Sequence, residues 1–435
     1  MTYQEALKYL DSFINYEKLD SYDYKSSLKL DRMRRFVSLL GDPQKNTRAI
    51  HVAGSKGKGS TAVYIYSILR QAGFNVGLYT SPHLKTFRER IRINDELISE
   101  EDLSRITADI KETVAAHMKD EMPTFFEVYT ALAYIYFKEK NVDLAVYEVG
   151  LGGRLDATNV IEPLACAITP ISYEHTDKLG NTLAEIAAEK CGVIKDDIVC
   201  VSAPQEAEAL KVIEGTCKEK NARLFVAGVD ITFDEVRSDE NEEVFNVSGI
   251  SGKYSMLTSK LIGTHQMINA SVAVGIVEAL KYKGITISGT DIKNGIENAR
   301  WAGRLDIIGR RPFIVLDGAQ NRESAKTLVS AIKKVFKYKR LILVFGVSKD
   351  KDVRGMLEEI LPVCDSIVLT RSKVLNRALA PERIRETIEA IGEERNVTIT
   401  SSVKEALDLA RSKAKADDLI LVTGSLFVVG EAMPE

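Results

Sequence analysis

One stretch constrains this chain more than any other: Gly54-Ser55-Lys56-Gly57-Lys58-Gly59-Ser60-Thr61, directly after the apolar run Ala49-Ile50-His51-Val52-Ala53. Residues 58–72 then follow a helical pattern. Strand, glycine-rich turn, helix is the order in which such a loop binds phosphate. Glycines let backbone N–H groups converge on phosphate oxygens, and the helix adds its positive N-terminal end. Lys58 would reach the terminal phosphates. The loop is shorter than the commonest P-loop, and Gly59 separates the lysine from Ser60. A plain glycine-rich turn is the alternative, but two lysines and two hydroxyls at a helix start suit an anion better.

The chain has 435 residues, long for one core, so two domains are expected. It is 45% hydrophobic and 28% charged, the balance of a globular protein in water. A net charge of −3 gives no footing for nucleic acid, and no apolar run is long enough to cross a bilayer. The N-terminus, Met1-Thr2-Tyr3-Gln4-Glu5, lacks a signal-peptide pattern. Cys166, Cys191, Cys200, Cys217 and Cys364 form no CxxC pair, which argues against a cysteine zinc site. A cytoplasmic, reducing location is expected.

Residues 1–45 read as helices around a polar, lysine-rich loop. Strands are then expected at 50–53, 76–80, 144–149, 166–169, 198–202 and 224–226, with helices between, including 126–140, 183–191 and 205–220. This alternation predicts a doubly wound, mostly parallel sheet. Residues 229–260 read as a small antiparallel set, followed by a helix over 267–282. A second α/β series has strands at 313–316, 341–345, 366–369, 397–400 and 419–422. The expected domains are therefore 1–297 and 298–435, with a cleft between them as the place for a ligand.

Several strand ends carry candidate chemistry. Glu148 closes an apolar strand before Gly150, Gly152 and Gly153, where a Mg²⁺ ion beside a phosphate loop needs a carboxylate; an ordinary edge carboxylate is the alternative. His175 also follows a strand, and could share a metal with Glu148 or be structural. The Ser81 hydroxyl could be a further ligand, although Ser81-Pro82 alone is only a turn signal. Asp317, after residues 313–316, could bind ribose hydroxyls or simply make a turn. Lys190, on position alone, reads as a solvent-facing helix lysine.

Taken in order, these motifs resemble the folylpolyglutamate synthase and dihydrofolate synthase family, within the Mur ligase superfamily. The resemblance rests on residues 54–61, Thr80-Ser81-Pro82-His83-Leu84, Phe125-Phe126-Glu127, residues 148–156, residues 175–180 and Glu189-Lys190. It continues through residues 263–270, Trp301-Ala302-Gly303-Arg304, residues 317–321, Asp350-Lys351-Asp352 and Thr423-Gly424-Ser425. It implies a P-loop, Mur-ligase-like ATPase domain carrying a small antiparallel sheet, followed by a Rossmann-like domain. It implies an ATP-dependent amide ligase that adds L-glutamate to a folate's γ-carboxylate, or to dihydropteroate, through an acyl phosphate.

The same resemblance implies the roles of individual residues. Gly54, Gly57, Lys58, Gly59, Ser60 and Thr61 would hold ATP phosphates. Ser81, Glu148 and His175 would hold Mg²⁺, two ions in all. Lys190 matches a lysine carbamylated by CO₂. Asn269 would meet adenine, Arg304 phosphate across the cleft, and Asp317 the ribose. His83, Thr124, Phe125, Phe126, Glu127, Leu155, Asp156 and Ala157 would face the pterin or pteroate, with Leu30, Asp31 and Arg32 as an N-terminal part of that region. Gln320 and Ser425 would lie near the substrates. A monomer is implied.

The chain departs from the pattern in places. Gln320 stands where the family often has histidine, and it cannot be a cation. Ser55-Lys56 replaces the usual Thr-Asn, which adds a positive charge beside the phosphates. Cys191 replaces alanine, and Glu174 replaces aspartate. Two rivals remain at this stage. A peptidoglycan Mur ligase would share the ATP site, but the Phe125-Phe126-Glu127 and Ser81-Pro82-His83-Leu84 blocks favour folate, and the N-terminal region reads as helices rather than as a UDP-binding domain. A nucleotide switch of the GTPase kind would want an N-K-x-D motif, which is missing.

Overall fold

The computed structural model describes residues 1–434 apart from 18, 20–21, 375–376 and 393–395. Eight strands form the first sheet: β1 (Arg48–Ala53), β2 (Val76–Tyr79), β3 (Ile91–Ile93), β4 (Glu96–Leu97), β5 (Leu144–Glu148), β6 (Pro163–Ile168), β7 (Val199–Ser202) and β8 (Arg223–Val226). Their order is β4-β3-β2-β5-β1-β6-β7-β8. The six strands from β2 to β8 pair in parallel, and their near-continuous apolar sequences are those of strands covered on both faces. The antiparallel edge β3–β4 has no counterpart in the sequence expectation; strands of three and two residues are too short to show a period.

The phosphate-loop helix, Lys58–Gln71, is buried continuously from Ser60 to Leu69. The sheet covers one side of it, and the helices Thr264–Ala279 and Gly289–Asn298 cover the other. That packing needs Gly295, where a Cβ would overlap the Ile68 backbone. The Ser67 hydroxyl donates to the Gly295 carbonyl at 2.7 Å. The helix that ends at Asn298 therefore packs with the phosphate-loop helix of the first sheet. The small sheet is three-stranded and antiparallel, with β10 (Glu243–Ser248) between β9 (Thr232–Ser238) and β11 (Lys253–Ser259).

The second large sheet holds β12 (Asp306–Arg310), β13 (Phe313–Leu316), β14 (Leu341–Phe345), β15 (Ser366–Leu369), β16 (Val397–Ile399) and β17 (Leu419–Thr423). The order is β12-β13-β17-β14-β15-β16, parallel except for the hairpin β12–β13. Separate apolar clusters cover its two faces.

Topology places the cleft. In the first sheet β1 and β5 are neighbours whose onward connections diverge, β1 leading to β2 beyond β5 and β5 leading to β6 beyond β1. A crevice opens at the carboxyl ends of two such strands. Among the described residues, no helix is long and apolar enough to cross a membrane, and all five cysteines are free and buried.

Candidate functional site

A cavity of about 600 Å³ lies between the two large sheets and is lined from both. From the first come Gly54, Ser55, Lys56, Gly57, Lys58, Gly59, Ser60, Ser81, Glu148, His175 and Lys190; from the second come Arg304, Asp317, Gln320 and Ser425.

The phosphate loop is held by its neighbours. The Ser55 and Lys56 N–H groups both donate to the Pro170 carbonyl, at 3.0 and 3.1 Å. These two N–H groups are therefore committed to the protein, a correction to the expectation that the loop's amides converge on a ligand. The amides left for an anion are those of the first helical turn, which have no carbonyl behind them within the helix. Gly57 caps that helix at φ +80°, and a Cβ there would overlap the Asn269 side-chain amide. Asn269 is fixed by donating from Nδ2 to Gln266 Oε1 at 3.0 Å. The expected adenine residue thus touches the phosphate loop. Thr61 sits behind the loop, fully buried, with no hydrogen-bond partner for its hydroxyl.

Glu148 is 6% exposed at the end of β5, where its Oε2 accepts from the Ser81 N–H at 3.1 Å. Burial raises its carboxyl pKa, opposed by Lys58, the Ser81 N–H and Arg304. His175 sits in the left-handed conformation at the start of a short helix, with Nε2 3.9 Å from Glu174 Oε1. Burial holds its imidazole down to about 4, so it is neutral at pH 7 and available as a ligand. Burial pushes the Glu174 carboxyl up, but Lys56, His175 and Lys58 outweigh it and hold the group at about 2. Lys56 reaches Glu174 at 3.4 Å. The two departures from the family pattern, Lys56 and Glu174, are thus paired.

Mg²⁺ needs few protein ligands when phosphates supply the rest. Glu148, the Ser81 hydroxyl and the neutral His175 fit that need, one carboxylate and two neutral donors beside the loop. No group of three or more His, Cys, Asp or Glu that could hold a metal occurs among the described residues.

Lys190 is not solvent-facing, which corrects the positional expectation. It is 3% exposed, and its Nζ donates to the Gly54 carbonyl at 2.8 Å. The helix Leu183–Cys191 ends against the loop after β5, where a Cβ on Gly153 would sit 2.8 Å from the Glu189 and Lys190 carbonyls. Burial, reinforced by Lys58 and Lys56, pulls the ammonium down to about 7. A neutral amine among cations suits CO₂ addition, because the anion formed would be attracted to the charges that disfavour the ammonium.

From the second sheet, both Asp317 oxygens are taken by backbone. Oδ2 accepts from the Leu305 N–H at 3.0 Å and Oδ1 from the Ala319 N–H at 2.9 Å. Asp317 therefore fixes the segment that carries Arg304. Ser425 accepts from the Phe427 N–H at 3.2 Å as a helix cap. Gln320 is on the cavity wall, and its backbone N–H donates to Ser324 Oγ at 3.1 Å.

The acceptor region is only partly as expected. Thr124, Phe126, Glu127, Leu155, Asp156 and Ala157 line the cavity. Phe125 does not; it is fully buried against Phe87 and Tyr129, because adjacent helix residues point to different faces. Asp31 is exposed and pairs with Arg34 at 2.8 Å, and Leu30 beside it is also off the wall. Arg32 lies behind the wall, donating from Nε to both Glu127 oxygens at 3.0 and 2.8 Å. His83 is also off the wall; its ring centre lies 4.3 Å from that of Phe87, tilted by 51°, and its Nδ1 accepts from Arg90 Nε.

Sequence reasoning missed Tyr16, Glu17, Tyr22, Lys178, Lys351 and Arg377, all on the wall. The first three lie in what reads as a polar loop. Lys178 and Lys351 carried a signal, inside residues 175–180 and Asp350-Lys351-Asp352.

The chain matches the Mur ligase middle domain over residues 52–277 and the Mur ligase glutamate ligase domain over residues 303–426. It is 36% identical over 408 residues to a Bacillus subtilis dihydrofolate synthase/folylpolyglutamate synthase, covering 92% of this chain and 93% of that protein. The corresponding Escherichia coli protein is 32% identical, with coverage of 99% and 96%. Among solved structures, E. coli FolC in complex with DHPP and ADP superposes with a TM-score of 0.87 at 30% identity, over 99% of this chain and 96% of that one. A Mycobacterium tuberculosis folylpolyglutamate synthase with ADP and AMPPCP also gives 0.87, at 32% identity and coverage of 94% and 95%.

Proposed function

The chain belongs to the folylpolyglutamate synthase and dihydrofolate synthase family of Mur ligases, and from that premise we propose the chemistry of its cavity. The protein is an ATP-dependent ligase that joins L-glutamate to a folate-type acceptor, giving ADP and phosphate. The acceptor carboxylate is the γ-carboxylate of a folate's glutamate tail or the benzoate carboxylate of dihydropteroate, as the double names of the B. subtilis and E. coli relatives favour. The observation that carries this is the single cavity in which a phosphate loop, a buried Glu148 and an arginine from the opposite sheet meet.

A carboxylate is a poor electrophile, so it must be activated. The acceptor carboxylate attacks the γ-phosphorus in line, and ADP leaves. Lys58, the first-turn amides and Arg304 bear the charge that moves during transfer. The α-amino group of glutamate then attacks the acyl carbon, its proton is lost, and phosphate departs. Mg²⁺ held by Glu148, Ser81 and His175 would neutralise phosphate charge and orient the nucleotide. The amine of Lys190, carbamylated, would place a carboxylate beside the loop. Asn269 holds the nucleotide's base side. Asp317, through the Leu305 and Ala319 N–H groups, holds the segment that carries Arg304 on the cavity wall. Both halves of the cavity come from one chain, which supports action as a monomer.

The test is substitution of Glu148. Glu148→Gln keeps the shape and the Ser81 contact but removes the charge, and turnover is expected to fall by about 10³-fold or more. Near-native turnover in a folded variant would remove Glu148 from the chemistry.

A further inference from the structure

Behind the cavity wall a line of polar side chains runs from the interior of the first sheet to Asp156. His51 lies on β1 with no exposed surface, between Ile50 and Val52. Its Nε2 is 2.8 Å from Thr158 Oγ1. The Thr158 hydroxyl donates to Asp156 Oδ1 at 2.6 Å, and the Thr158 N–H donates to the same oxygen at 3.0 Å. The Leu151 N–H donates to the other oxygen at 2.9 Å. Asp156 is on the cavity wall, 2% exposed.

Donor counting sets the direction of this line. An ionised carboxylate only accepts, and a threonine hydroxyl has one proton to give. If that proton goes to Asp156, the hydroxyl oxygen accepts from His51, which carries its own proton on Nε2. The bare nitrogen is then Nδ1, the His51 atom that is buried without a hydrogen-bond partner. Burial and Lys195 hold this imidazole at about 3, so the donor is a neutral ring. A histidine inside an apolar strand is costly unless its polar atoms are used.

We propose that His51 and Thr158 are positioning residues for the acceptor. They hold Asp156 as an oriented anion on the wall, where it receives N–H donors from the flat, nitrogen-rich head of a folate-type molecule. The inference rests on the function proposed above and on the resemblance that gives Asp156 to the pterin; what it adds is the part played by His51 and Thr158 behind that carboxylate. The titratable groups around Asp156 are Tyr24, Tyr79, Tyr134 and Lys190, with His51 behind Thr158; Lys190 is the basic one among them. Burial already raises the Asp156 carboxyl, opposed by the Thr158 and Leu151 donors. Removing one donor raises it further.

The experiment measures steady-state KM values for tetrahydrofolate, dihydropteroate, ATP and glutamate across pH in the full-length enzyme. It compares the wild type with Thr158→Val, Thr158→Ser and His51→Gln. Thr158→Val keeps the side-chain shape and loses only the hydroxyl. The expected result is a rise of about tenfold in the acceptor KM, the size of one lost hydrogen bond to a charged group, with ATP and glutamate KM values within about twofold. The acid limb of the acceptor profile moves to higher pH in Thr158→Val and returns in Thr158→Ser. His51→Gln gives a smaller shift in the same direction. Unchanged acceptor KM values in folded variants, or equal changes in all substrates, would make the line structural only and overturn the inference. A wild type that ligates glutamate to neither acceptor would defeat the proposed function itself, and the inference with it.

Discussion

Lys190 shows most clearly how a residue's surroundings set its chemistry. An ordinary lysine is fully charged at pH 7 and does not add CO₂. This one is pulled down to about 7 by burial and by Lys58, so neutral amine is present at physiological pH. Two outcomes follow from the sign of the shift. Activity that depends on the carbamate falls below pH 7, where the amine is protonated, and added bicarbonate stimulates degassed enzyme more at pH 8 than at pH 6. The folded pKa also lies below the unfolded one, so the unfolded chain binds more protons between pH 7 and about 10.5 and folding stability from this group rises with pH across that window. Lys190→Met removes both effects, as assays with and without bicarbonate and denaturant titrations at two pH values would show. Sequence position alone puts this lysine in solvent, because the contact that buries it, the loop after β5, is more than thirty residues away in the chain. The places of Glu148 and Ser81 at strand ends on the cavity wall were legible for the opposite reason: strand ends and turn residues announce themselves locally. Phe125 was not separable from its wall-lining neighbour Phe126 until helix phase was known.

The elements that build the cleft were legible where they were long and apolar. The parallel strands and the phosphate-loop helix lie within a residue or two of the sequence expectation, except that β6 begins three residues early, because burial on both faces leaves a nearly unbroken apolar run. The hairpin strand β12 and the edge β3–β4 were not legible, since half-exposed strands of two to five residues carry little pattern. Glycine contacts across elements are likewise invisible in sequence. Gly295→Ala forces a methyl group into the Ile68 backbone, and a loss of about 1–3 kcal/mol is expected in urea unfolding. Gly57→Ala combines a strained left-handed residue with displacement of Asn269. It is expected to raise the ATP KM about tenfold or more while leaving the acceptor KM near wild type, a split that steady-state kinetics would reveal.

At the scale of the molecule, two α/β units share one cavity and are clasped at its edge. Lys334 of the second unit pairs with Glu235 and donates to Thr264 Oγ1 at 3.1 Å. Lys334→Ala loosens that seam without touching the cavity wall, and is expected to raise ATP and acceptor KM values together while each unit keeps its own core. Such a joint change distinguishes the seam from Gly57, whose effect is confined to the nucleotide. The two large sheets were legible from the repeated strand–helix alternation, but the seam and the placing of Arg304 on the same cavity as the phosphate loop depend on docking that no local pattern encodes. The central claim, that this cavity spends ATP to form an amide with glutamate, is tested most directly by phosphate release with ATP, Mg²⁺ and glutamate, with product masses measured for tetrahydrofolate, dihydropteroate and no acceptor. The account predicts acceptor-dependent phosphate release matched by a product one glutamate residue heavier; phosphate released without an acceptor, or with no new amide on either, would contradict it.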